Sequence, residues 1–158
     1  MPDKLIKRLE REGKVRRQKA GLVQVEALLK EAVLDLEEAK RISSVAERAT
    51  YLLAYNGMLK AGRALLLLGG YVPDDGGQHK TVVEMTTAIL GPKYRSLTEQ
   101  FETMRRKRND LTYEAGTLLS KSEAQRAFSD SIELVKRILA EVKAQNPQLN
   151  LKLDLKGK

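Results

Sequence analysis

Residues 104–116 read MRRKRNDLTYEAG, and Arg105, Arg106, Lys107 and Arg108 give them four consecutive cations. Asn109 follows, and Tyr113 lies one helical turn beyond it. Upstream, Tyr94, Leu97, Phe101 and Met104 recur at spacings of three and four, and Leu111 continues the series. That spacing predicts one apolar helix face, and position 108 falls on it. Arg105, Arg106 and Lys107 diverge from the face and read as a solvated basic surface. Arg108 does not. A guanidinium on an apolar seam must pair with an anion or open into a wet cleft, because burying it alone is very costly. One reading is an interhelical ion pair, helped by the preference of helix C-termini for cations. The other is an anion-binding cleft in which Arg108, Asn109 and Tyr113 gather, flanked by Arg105 and Lys107.

Other candidates are few. Asn56, Lys60 and Arg63 stand at i, i+4 and i+7 of an otherwise apolar segment. Their face meets solvent at the bundle rim, or it lines a groove or subunit contact. His79 is the one histidine, and it reads as a loop or capping residue or as a proton carrier for the basic cluster. Asp74 and Asp75, set among Pro and Gly, read as turn residues before metal ligands. With no cysteine and a single histidine, thiolate sites, multi-histidine metal sites and a one-chain catalytic triad fall away. No metal or other cofactor is expected. The net charge of +8 suits an anionic partner such as nucleic acid, a nucleotide or an acidic protein, and equally suits simple solubility. No apolar run approaches the roughly 20 residues of a membrane span. The charged N-terminus lacks a signal-peptide core, so a cytoplasmic protein with no membrane partner is expected.

Every element that could position these residues reads as helix. The pattern predicts an all-α, up-and-down antiparallel bundle of four to five helices with a short N-terminal helix. Residues 1–20 form a basic arm containing one loose helix before Gly13. Its charges Lys14, Arg16, Arg17 and Lys19 read as a solvated run before a binding element. The bundle spans 21–146. Its first helix covers about 22–41, with Leu22, Val25, Leu29, Ala32, Val33, Leu36 and Ala39 on one stripe. The second starts at a capping box, Ser44 with Glu47, and runs to Gly69-Gly70. It is apolar nearly all round and so should be the central helix. Residues 70–78 read as loop, 78–90 as the third helix and 93–114 as the fourth. The fifth starts at a second capping box, Ser120 with Glu123, and ends near Gln145. Residues 147–158 are expected to be a flexible tail.

Two blocks together resemble the HEPN domains of bacteria and archaea, over about residues 20–145. One is AYNGMLKAGRALLLLGGYVPDDGGQHKTVVE, residues 54–84. It is similar to the HEPN second helix, loop and start of the third helix. The other is RRKRNDLTYE, residues 105–114, which stands where that family carries an arginine and, after four to six intervening residues, a histidine. The resemblance implies a homodimer whose motif helices face each other across a shared cleft for RNA or nucleotide. It also implies a setting among toxin–antitoxin or defence systems. Arg108 matches the motif arginine and Asn109 the polar residue after it, but Tyr113 occupies the histidine slot.

A phenol with a pKa of about 10 is a poor base at neutral pH, whereas histidine titrates there. The resemblance therefore implies a nucleotide- or RNA-binding dimer, weakly or not catalytic, built on Arg108, Asn109 and Tyr113. Arg105, Lys107, Lys60 and Arg63 would assist in holding the anion. Two alternatives stay open. One is a metal-independent endoribonuclease toxin in which Tyr113 or His79 assists Arg108. The other is an interaction protein partnered with a minimal nucleotidyltransferase acting as antitoxin.

Overall fold

The computed structural model of the chain describes residues 2–19, 21–74 and 78–149. Six α-helices lie among them: α1 (Asp3–Arg11), α2 (Leu22–Ile42), α3 (Glu47–Leu68), α4 (Gln78–Leu90), α5 (Arg95–Tyr113) and α6 (Lys121–Gln145). The fold is an all-α bundle, as the periodicity predicts. α3 is its axis and packs against α2, α4, α5 and α6. Thirteen of its residues are buried, which is why its sequence is apolar all round. The core is aliphatic, with Tyr55, Phe101 and Phe128 as its largest fully buried side chains.

Close approach of α4 to α3 depends on Gly62. A Cβ built there would lie 2.7 Å from Val82 Cγ1 and 2.8 Å from Thr86 Oγ1. The absent side chain lets the backbone of α3 run against α4. This contact fixes where the start of α4, and with it His79, sits relative to α3.

The two expected capping boxes behave differently. At α6 the box forms in both directions: Glu123 N donates to Ser120 Oγ at 3.0 Å, and Ser120 N donates to Glu123 Oε1 at 3.1 Å. Replacing Ser120 by alanine is expected to cost about 1 kcal/mol of stability, read from urea unfolding, with little change in helix content. At α3 the expected box does not form. Ala46 is the N-cap and no side chain caps it. The cause lies in α2, whose Ile42 carbonyl accepts from both Val45 N (3.0 Å) and Ala46 N (2.8 Å). The turn that ends α2 thus carries Ser44 past the capping position. Thr50 then closes the first turn of α3 by donating its hydroxyl to the Ala46 carbonyl at 2.7 Å.

Residues read as arm and loop contain a small sheet. β1 (Val15–Arg17) pairs antiparallel with β2 (Tyr71–Pro73), in the register Val15 with Pro73 and Arg17 with Tyr71. Gly70, at φ +91°, turns the chain out of α3 into β2. Arg16 pairs with Asp74 at 3.3 Å, and the Arg17 guanidinium lies 5.7 Å from the Tyr71 ring centre. Val15 is buried, as are Ile6 and Leu9 of α1, all in the same core as the longer helices. Arg11, Arg16 and Arg17 of the arm are exposed, but its apolar residues belong to the bundle. Asp75 and the tail 150–158 lie outside the described residues.

Candidate anion-binding site

α5 places Phe101, Arg105 and Arg108 along one side, at i, i+4 and i+7. Phe101 is fully buried, and its ring meets that of Tyr55 of α3 at 5.9 Å between centroids. Tyr55, itself fully buried, reaches α4: its hydroxyl lies 2.9 Å from His79 Nδ1. The two rings are 5.7 Å apart. Arg63, two turns after Tyr55 on α3, donates from Nη2 to Gln78 Oε1 at 3.1 Å. Gln78 is the residue before His79 in the first turn of α4. Three helices thus converge on His79.

The electrostatics agree with that convergence. Burial holds His79 below its ordinary pKa, and the charges of Arg108, Arg63 and Arg105 push it further down. Its imidazole is therefore neutral at pH 7. Burial pushes the Tyr55 hydroxyl up, and the same three arginines oppose that shift. It remains a neutral O–H. When that hydroxyl donates to Nδ1, the histidine carries its proton on Nε2 and offers a donor. When the hydroxyl accepts from Nδ1–H, Nε2 is left as a base.

The cations singled out from sequence now divide into two groups. Arg105 makes a two-pronged contact with Glu102, at 2.7 Å and 2.9 Å, and Arg106 joins the same carboxylate at 2.8 Å. Hydrogen bonds from these arginines, that of Arg105 first, hold Glu102 below the usual carboxylate range. Lys107 reaches across to Glu123 of α6 at 3.2 Å. Lys60 is turned toward α2, 2.8 Å from Asp35 and 3.2 Å from Glu31. Each of these four cations is paired with a carboxylate, Arg105 and Arg106 sharing one. Arg108 and Arg63, both half-buried, have no carboxylate partner among the described residues. Arg63 Nε is shut away from solvent with no acceptor among the described residues.

Asn109 and Tyr113 do not join this group. Tyr113 is 69% exposed, and an α-helix sets it about 140° around the axis from Arg108. Asn109 is exposed as well. The end of α5 is held instead by Arg48, which donates to the Leu111 carbonyl at 2.6 Å, and by Thr117, whose hydroxyl donates to the Asp110 carbonyl at 3.2 Å. Asn56 is half-buried on the α3 face that carries Lys60 and Arg63. Tyr55 and Gln78 escaped the sequence reading. Tyr55 is one apolar-looking position in a helix that is apolar all round, so nothing in its spacing marks it.

A groove of about 420 Å³ lies nearby between α1, α4 and α5, over Leu5, Val83 and Thr98. Glu84, Glu99 and Glu102 line it, with Lys80 and Arg95. Those carboxylates make it a poorer seat for an anion than the uncompensated arginines, despite its size. Among the described residues, no three His, Asp or Glu side chains come together as a metal site. Asp74 is occupied by Arg16. No helix among the described residues is long and apolar enough to cross a membrane. Comparison with protein-family models and with curated proteins finds no match to this chain.

Proposed function

We propose that the chain is a HEPN-like, homodimeric RNA- or nucleotide-binding protein, weakly or not catalytic, of a toxin–antitoxin or defence-type system. The observation that carries this reading is Arg108. It breaks an apolar stripe, is half-buried, and sets its charge on a neutral histidine and a phenol, with no carboxylate partner among the described residues. An arginine with a structural role would be met by an acid, as Arg105 and Lys107 are. An arginine left without one awaits an anion from outside, and a planar guanidinium suits phosphate.

Apolar residues near the end of α5 suit the dimer. Val45, Tyr113 and Leu118 are 82%, 69% and 84% exposed. The bond from Arg48 to Leu111 ties the start of α3 to the end of α5, so these residues share one end of the bundle. In this reading Tyr113 serves the subunit contact or stacks on a base.

A second reading, metal-independent RNA cleavage, draws on His79. The motif slot holds Tyr113, yet a neutral imidazole stands within the field of Arg108. There it can accept a proton through Nε2. The 2′-oxygen, on losing its proton, would attack the adjacent phosphorus. The 5′-oxygen would leave with a proton, giving a 2′,3′-cyclic phosphate and a 5′-hydroxyl end. Arg108 would stabilise the charge that builds on the phosphoryl oxygens.

The test is a structured, end-labelled RNA incubated with purified protein in EDTA, alongside a gel-shift series. RNA binding that weakens with salt and falls about 10- to 100-fold in Arg108→Ala is expected, the loss typical of a charge-assisted hydrogen-bonding group. Cleavage lost in both Arg108→Ala and His79→Ala would favour the nuclease. Neither binding nor cleavage would overturn both readings and point to a protein partner, such as a minimal nucleotidyltransferase.

A further inference from the structure

The arrangement around Arg108 also constrains which phosphate would be bound. Arg63 is tied by Gln78 to the first turn of α4 at 3.1 Å, beside His79, while its Nε has no acceptor among the described residues. Arg108 stands two turns beyond Phe101 on the side of α5 whose Phe101 ring packs on Tyr55, and its charge reaches the same histidine. Behind His79 the buried Tyr55 hydroxyl, at 2.9 Å, fixes the imidazole ring. Arg105 lies on the same side of α5 but is held in both prongs by Glu102. It walls the site rather than binding in it. The start of α4, a 13-residue helix, brings the positive end of its dipole to the same place.

Donors thus come from three helices, and among the described residues no carboxylate is paired with either guanidinium. An internal phosphodiester fits such a site poorly. It carries one charge, exposes two free oxygens and must leave with chain on both sides. A phosphate monoester enters by one end, offers three free oxygens and carries close to two charges near neutrality. Two guanidiniums and an imidazole match three oxygens.

We propose that Arg63, His79 and Arg108 of a single protomer form a cup for a terminal phosphate monoester, that of a nucleotide or of an RNA 5′ end, and that the cup discriminates it from internal phosphodiesters. The proposal rests on the reading of Arg108 as an anion site and adds the group recognised and two further residues that recognise it.

The deciding experiment compares ligands on the wild-type protein. Fluorescence anisotropy is measured with one short RNA carrying either a 5′-phosphate or a 5′-hydroxyl, and AMP and adenosine compete. At least about a 10-fold preference for the 5′-phosphate RNA, with AMP competing and adenosine not, is expected. Arg63→Met and His79→Gln should each erase most of that preference. AMP binding without a preference between the RNAs assigns the cup to free nucleotides. A 5′-phosphate preference without AMP competition assigns it to RNA ends.

Equal binding of both RNAs, no effect of AMP and a loss only in Arg108→Ala would overturn the cup and keep the RNA-binding reading. No binding of any ligand would overturn both. Because the comparison is made on wild type, a variant that fails to fold leaves the outcome intact.

Discussion

Gly62→Leu is expected to destabilise the protein by about 3 kcal/mol, at the upper end of what forcing extra atoms into a packed core costs. A first added carbon already meets Val82 Cγ1 at 2.7 Å and Thr86 Oγ1 at 2.8 Å. Both residues are fully buried, so neither can swing aside into water. The larger side chain must push α4 away from α3. Gly62→Ala serves as a graded control. It gains about 1 kcal/mol of helix propensity, which offsets part of the clash, so its net loss is smaller. Urea unfolding of the three proteins gives the order. The site should suffer beyond the stability change, because the α3–α4 distance also sets the 2.9 Å contact between Tyr55 and His79. A Gly62→Leu protein as stable as wild type would mean that α4 docks more loosely than this packing implies.

The same contact explains why the bundle was legible in the sequence and half of the candidate site was not. Helix stripes announce themselves through spacing, and α2, α4, α5 and α6 lie within a few residues of where periodicity puts them. Arg108 was visible because it interrupts a stripe, and an interruption is a local signal. His79 comes within the field of Arg108 only because α4 packs against α3 and α5, and that is a fact of tertiary geometry. Spacing along α5 pointed to Tyr113 as the neighbour, since Asn109 and Tyr113 do share a face. That face is the exposed one.

Local motifs misled for related reasons. Ser44 with Glu47 and Ser120 with Glu123 are the same pattern, but only the second begins a helix with nothing competing for its backbone. At Ser44 the preceding helix had already claimed the turn. Strands of three residues, such as Val15–Arg17 and Tyr71–Pro73, are too short to show a period of two. By spacing Asn56, Lys60 and Arg63 share one face, at the bundle rim or along a groove or subunit contact. In the fold it sits at a divide: Lys60 meets acids of α2, and Arg63 meets Gln78 of α4.

That divide yields the other large effect, at Lys60. Asp35 is a buried carboxylate, with its side chain 10% exposed, and Lys60 Nζ stands 2.8 Å from its Oδ2. Burial raises the Asp35 pKa above its ordinary value even with Lys60 in place, and Glu31 and Glu38 add to the rise. Lys60→Met keeps the aliphatic stem but removes the charge. It leaves Asp35 facing only like charges, and the expected loss at pH 7 is about 3 kcal/mol, the low end for a broken buried pair because Lys60 is partly exposed.

The pH dependence follows from the sign of the shift. A carboxyl whose folded pKa lies above its unfolded value binds more protons when folded, so its contribution to stability falls as pH rises. Removing Lys60 raises that folded pKa further. The deficit of Lys60→Met should therefore shrink as pH falls from 7 toward the ordinary carboxylate range near 4, where Asp35 takes up a proton and no longer needs a cation. Adding Asp35→Leu to Lys60→Met should recover most of the loss at pH 7 and flatten the pH profile, since two apolar side chains replace the pair without an orphaned charge. A deficit that stays constant between pH 4 and 7, or a double variant no better than the single one, would place the cost in lost packing of the lysine stem rather than in the uncompensated carboxylate.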